Sequence, residues 1–104
     1  MRKTTEAVGT AFLQGRKKTV ANTWTDGKNV YLFGNVIARK NSAGAIEVRN
    51  AGHGTITTRE RLNGLARLVK SNVSFGQHKY DQVIYVNGER REWDGEWIQI
   101  TPHD

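Results

Sequence analysis

The residues of this chain best equipped for chemistry are aromatics interleaved with cations: Trp24, Tyr31 and Phe33, with Lys40 and Arg49 after them and Arg16-Lys17-Lys18 before. Aromatic rings offer π-faces on which unpaired bases stack, and Lys and Arg hold phosphates, so the combination suits a surface that binds single-stranded nucleic acid. Groups that could support catalysis are dispersed. His53, His78 and His103 have no histidine partner at ligand spacing, and His78 and Asp81 flank a turn, which denies them the shared face of a metal pair. Ser42, Ser71 and Ser74 lack a nucleophile context, and the glycines form neither a phosphate loop nor a dinucleotide fingerprint. Glu89 and Glu92 sit among arginines, where ion pairing accounts for them. The expectation is a non-enzymatic binding protein with no metal and no cofactor.

Charge points the same way. Sixteen Lys and Arg against ten Asp and Glu give a formal net charge of +6 over 104 residues. Residues 1–80 hold fourteen of the basic and only four of the acidic side chains, so positive potential concentrates in that segment. A polyanion, above all nucleic acid, single- or double-stranded, is the partner such a segment attracts; solubility is the bland alternative. The absence of cysteine removes disulfides, thiolate metal sites and cysteine nucleophiles together and suits a reducing cytosol. No apolar run reaches membrane length and no charged-then-apolar leader is present, so neither a membrane nor export is expected. The length predicts one domain, residues 1–104.

Two helices and two strand sets must position these residues. Thr4-Thr5-Glu6 opens a helix to about Gln14, with Ala7, Val8, Ala11 and Phe12 on one face and Gly15 as its stop. Turn signals at Asp26-Gly27, Gly34-Asn35 and Ser42-Ala43-Gly44 then divide an antiparallel meander into strands at 20–25, 28–33, 36–40 and 45–49. Thr57 and Glu60 form a capping box, followed by a helix from Thr58 to about Lys70 with Leu62, Leu65, Ala66 and Val69 on one stripe. A second meander follows at 73–79, 82–86, 89–93 and 96–100, turning at Asn87-Gly88 and Asp94-Gly95, and Pro102 marks a frayed tail. The fold class is α+β: two short helices packed on antiparallel β-meanders. Because the helix-then-meander order occurs twice, a shift of 53 residues overlays the halves as a pseudo-repeat.

Common turn geometries set Thr25 opposite Lys28, Phe33 opposite Val36 and Lys40 opposite Ala45. One face then collects Val30, Leu32, Ile37, Ile46 and Val48 as the core side. The other collects Trp24, Tyr31, Phe33, Val36, Lys40, Glu47 and Arg49. This second face is either a binding platform, with Arg16, Lys17 and Lys18 nearby, or the cover under which the first helix buries Val8 and Phe12. In the last hairpins Trp93 joins Ile84, Val86, Ile98 and Ile100 in the core. Trp97 pairs with Glu92 beside Tyr85 and Arg90, a half-exposed acidic neighbourhood suited to a protein partner. Apolar residues on both faces of the first meander leave room for a homodimer.

The phrases Ala21-Asn22-Thr23-Trp24, Gly34-Asn35-Val36-Ile37-Ala38, Thr57-Thr58-Arg59-Glu60-Arg61-Leu62-Asn63 and Val86-Asn87-Gly88, in this order across residues 20–90, resemble small tailed-phage accessory proteins. The resemblance carries over no activity and no catalytic residues. It implies a context: a phage protein acting in the host cytoplasm, either on nucleic acid or as an inhibitor that binds a host factor or host defence system.

Overall fold

Helix α1 (Lys3–Leu13) buries Thr5, Val8, Gly9, Ala11 and Phe12 along one face, and Gly15 at φ +70° turns the chain away beyond its Gln14 cap, as glycine does past a helix end. The computed structural model describes residues 1–101, in which two helices and nine strands form an α+β fold with two antiparallel sheets. After α1 come β1 (Lys18–Val20), β2 (Thr23–Thr25), β3 (Asn29–Leu32), β4 (Asn35–Lys40) and β5 (Ile46–Val48). Then follow α2 (Ile56–Leu68), β6 (Val73–His78), β7 (Asp81–Val86), β8 (Glu89–Glu92) and β9 (Ile98–Gln99). The larger sheet runs β1-β2-β3-β4-β5-β9 and the smaller β6-β7-β8. Helix-then-strands therefore occurs twice, but β9 returns to the first sheet and breaks the repeat.

The expected core face is the observed one. Val30, Leu32, Ile37, Ile46 and Val48 are buried in one cluster with Val8 and Phe12 of α1, Leu62, Leu65 and Ala66 of α2, and Val73, Phe75 and Ile84 of the smaller sheet. Both helices thus lie on the Val30 side of the larger sheet, with α1 packed on β1, β2, β3 and α2. The two helices meet at small residues. A Cβ on Gly64 would overlap Thr5 Cγ2, so close approach requires glycine there, while one on Gly9 would stand 2.6 Å from the end of the Leu68 side chain.

Four local expectations are corrected. The cap of α2 is Thr55, whose hydroxyl accepts from the Thr58 N–H at 3.2 Å, and not Thr57. Glu60 is no part of a capping box; it accepts hydrogen bonds from the Thr5 hydroxyl, the Arg61 guanidinium and the Arg2 N–H. The stretch expected as one strand over 20–25 is two, folded at Ala21, which takes φ +53°. The turn after it is also longer than two residues, so Thr25 lies opposite Val30 rather than Lys28.

The third correction is in the β3–β4 hairpin, whose turn is Phe33-Gly34 rather than Gly34-Asn35, so that Phe33 is a turn residue and does not lie opposite Val36. Val30 pairs with Ala38 but Tyr31 with Val36, so Ile37 is an extra residue and the strand bulges. Ile37 and Ala38 are both buried in consequence, and every later side chain of β4 changes face. Lys40, now opposite Ile46 rather than Ala45, goes to the helix side, and Arg39 takes the outer position opposite Glu47. The fourth is the last strand. β9 does not fold back on β8 but pairs with β5, Glu47 opposite Gln99 and Val48 opposite Ile98, which removes Trp97 from Glu92 and from Tyr85.

Candidate nucleic-acid interface

Residues directly opposite one another in an antiparallel sheet share a face. Thr19 lies opposite Trp24, Trp24 opposite Tyr31, and Tyr31 opposite Val36, giving one row across four strands. One step beyond the Val48–Ile98 pair, Arg49 and Trp97 continue the row, with the Arg49 guanidinium 4.7 Å from the Trp97 ring centroid. All of these side chains sit on the face turned away from both helices, which settles the choice left open by the sequence: α1 does not cover Trp24.

Neighbouring groups of the row contact one another, and their hydrogen-bonding capacity is only partly used. Trp24 and Tyr31 stack with centroids 5.0 Å apart and planes 9° from parallel, a contact that holds both rings upright on the sheet. The Tyr31 hydroxyl donates to Asp26 Oδ2 at 3.3 Å. Asp26 Oδ1 meanwhile accepts the Lys28 and Asn29 N–H groups at 2.8 Å each, and these backbone bonds hold the Asp26 carboxyl below its usual pKa. Arg39 lies 3.8 Å over Trp97 and pairs through Nε with Glu47 at 2.9 Å. Arg49 donates through Nε to the Val36 carbonyl at 2.8 Å. A guanidinium carries five N–H donors, and the terminal nitrogens of both arginines make no hydrogen bond among the described residues.

The sequence-predicted residues divide. Trp24, Tyr31 and Arg49 come together on the outer face. Lys40 does not: its Nζ donates to the Phe12 carbonyl at 2.7 Å and the Gly27 carbonyl at 3.2 Å, closing the C-terminal end of α1. Lys18, opposite Thr25, is also on the helix side. Arg16 is held by the Gln14 side chain at 2.8 Å and Lys17 is exposed in the link between α1 and β1. The expected Tyr85–Trp97 patch is dismantled. Tyr85 lies opposite Ser74 and Arg90 on the smaller sheet, its ring filling the space that a Cβ on Gly76 would need, while Trp97 stands with Arg39 and Arg49. Trp93 packs against the core as expected, its ring 5.0 Å from Phe75.

Sequence reasoning missed Arg39, which only the bulge turns outward, and the buried Arg61. Arg61 donates to Thr23 Oγ1 at 2.9 Å and Thr5 Oγ1 at 3.0 Å and pairs with Glu60, tying α2 to α1 and to β2. A signal for it existed: Thr58, Arg61 and Leu65 share a helical face at i, i+3 and i+7, a continuation of the apolar stripe.

The chain belongs to the Kyanoviridae Gp96 protein family, a family of phage proteins that matches residues 1–99. No curated protein and no solved structure matches it. No helix among the described residues is long and apolar enough to cross a membrane.

Proposed function

We propose that this phage protein binds single-stranded nucleic acid in the host cytoplasm, without catalysis, on the outer face of the larger sheet. The observation that carries the reading is the row Trp24–Tyr31–Val36–Arg49–Trp97, with Arg39 beside it, on a face that neither helix covers. Unpaired bases stack on aromatic faces and on guanidinium planes, and the free guanidinium nitrogens are donors for phosphate oxygens. The formal charge of +6 adds long-range attraction. Trp, Tyr and Arg are also the residues that dominate protein–protein hot spots. Inhibition of a host protein through this same face is therefore the reading that replaces the first if it fails.

Titration of a fluorescently labelled single-stranded oligonucleotide at two salt concentrations is the test. Binding should weaken steeply with salt, and Trp24→Ala should remove about 1 to 3 kcal/mol of it. No binding at low salt, together with a host protein that co-purifies after nuclease treatment, would replace nucleic acid by a protein partner.

A further inference from the structure

The β3–β4 turn and the start of α2 enclose a cavity of about 230 Å³ that the aromatic row does not occupy. Buried Leu32 and Ile37 form its floor, Phe33 one wall, and Asn35, His53 and Thr55 its polar rim. It is smaller than the roughly 300 Å³ at which pockets for drug-sized molecules begin, so its ligand is a single ring system.

Phe33 is the unusual wall. With φ +50°, followed by Gly34 at +84°, it occupies the first central position of a two-residue turn with both residues left-handed, where Asn is the favoured residue. A bulky side chain there strains the backbone. Burial does not offset that strain, because Phe33 is 70% exposed. The turn would therefore be more stable without this ring, which points to a contact the ring makes with something else.

The rim is suited to a flat polar edge. Asn35 Nδ2 lies 3.4 Å from His53 Nε2 and 3.5 Å from the Leu32 carbonyl, and the side-chain Oδ1 of Asn35 accepts no hydrogen bond among the described residues. The cavity lies on the helix side of the sheet and the aromatic row on the outer side, with the turn between them: the Cβ position of Gly34 is 3.9 Å from Trp24 Cη2. An apolar slot with one aromatic wall and an amide at its mouth has the chemistry of a site for an unstacked base.

We propose that this cavity takes one nucleobase of a strand that leaves the Trp24–Tyr31 row and crosses the Phe33-Gly34 turn to the helix side, with Phe33 as the stacking wall and Asn35 reading the base edge. The proposal rests on the single-strand reading above, and its test is chosen to fail separately. In amide-resolved NMR, each of the four free nucleosides is titrated into the whole protein, and then into Phe33→Asn. At least one nucleoside should shift the Asn35 side-chain amide and the Phe33 backbone amide, and Phe33→Asn should abolish the Asn35 shift while leaving the melting temperature unchanged or raised. With a short oligonucleotide, Phe33→Asn should weaken binding roughly 5- to 150-fold at unchanged salt dependence, since a stacked base is lost but no charge. If no nucleoside shifts Asn35, or if Phe33→Asn binds both probes as the natural chain does, the cavity is not a base site. Loss of oligonucleotide binding in Trp24→Ala alone would then leave the sheet reading standing.

Discussion

Asn63 of α2 makes both hydrogen bonds of the Phe75 backbone: its Nδ2 donates to the Phe75 carbonyl at 2.9 Å and its Oδ1 accepts the Phe75 N–H at 2.8 Å. The side-chain amide serves β6 as a neighbouring strand would, on the edge that β7 does not cover. It also locks the smaller sheet to α2, and through α2 to the larger sheet. Asn63→Ala leaves a donor and an acceptor unpaired and should cost about 2 to 3 kcal/mol in a urea melt. A loss below about 0.5 kcal/mol would mean that water replaces the amide without penalty.

Helix propensity and packing predict opposite signs at Gly64. Glycine to alanine inside an exposed helix gains about 1 kcal/mol, but here the added methyl meets Thr5 Cγ2 of α1. Gly64→Ala should therefore destabilise by about 1 to 3 kcal/mol. Thr5→Ser removes the obstructing methyl while keeping the hydroxyl for Arg61 and Glu60, so the double variant should recover most of the loss. A stabilising Gly64→Ala would show that the helices separate freely.

The start of α2 gives a sharper comparison. Thr55→Ala should cost about 1 kcal/mol by removing the cap on Thr58 N–H, and Thr57→Ala should be nearly neutral. Equal losses in thermal melts would mean that the helix can start at either residue.

Acid should weaken the fold through Glu60. Burial raises the pKa of this carboxyl, but hydrogen bonds from Thr5, Arg61 and Arg2 outweigh it and hold the group below the ordinary glutamate value of 4.5. A lowered folded-state pKa contributes stability above 4.5 that is lost as pH falls through the folded value. Glu60→Gln should be less stable than the natural chain at neutral pH, and the gap should close below 4.5. A gap that stays constant down to strong acid would show that the carboxylate charge is not what Arg61 and Thr5 require.

What the sequence made legible, and what it did not, follows range and periodicity. The α2 stripe and the Val30–Val48 core face repeat at short intervals and are found where expected. The Thr55 cap competes with neighbouring threonines, and burial of Thr58 inside the helix decides between them. The bulge at Ile37 leaves no local mark, since Val36, Ile37 and Ala38 form an unbroken apolar run that fits either phase. Trp97 reaches Arg39 only because β9 crosses to β5, a pairing between segments half the chain apart that hairpin signals favour less than the Asp94-Gly95 turn.

That bulge yields the comparison between Lys40 and Arg49. Without it both would stand on the outer face and contribute alike to phosphate binding; with it, Lys40 closes α1 on Phe12 and Arg49 alone remains with Trp97. Lys40→Ala should lower stability by about 1 to 2 kcal/mol, through the lost bonds at the helix end, and leave the salt dependence of oligonucleotide binding unchanged. Arg49→Ala should weaken binding and reduce the salt slope by about one counterion. Its loss of stability should be smaller, since the Val36 carbonyl it leaves is only partly buried. One denaturant melt and one titration at two salt concentrations per variant separate them. A Lys40→Ala variant of full stability with a flattened salt slope would return Lys40 to the binding face and overturn the bulged register.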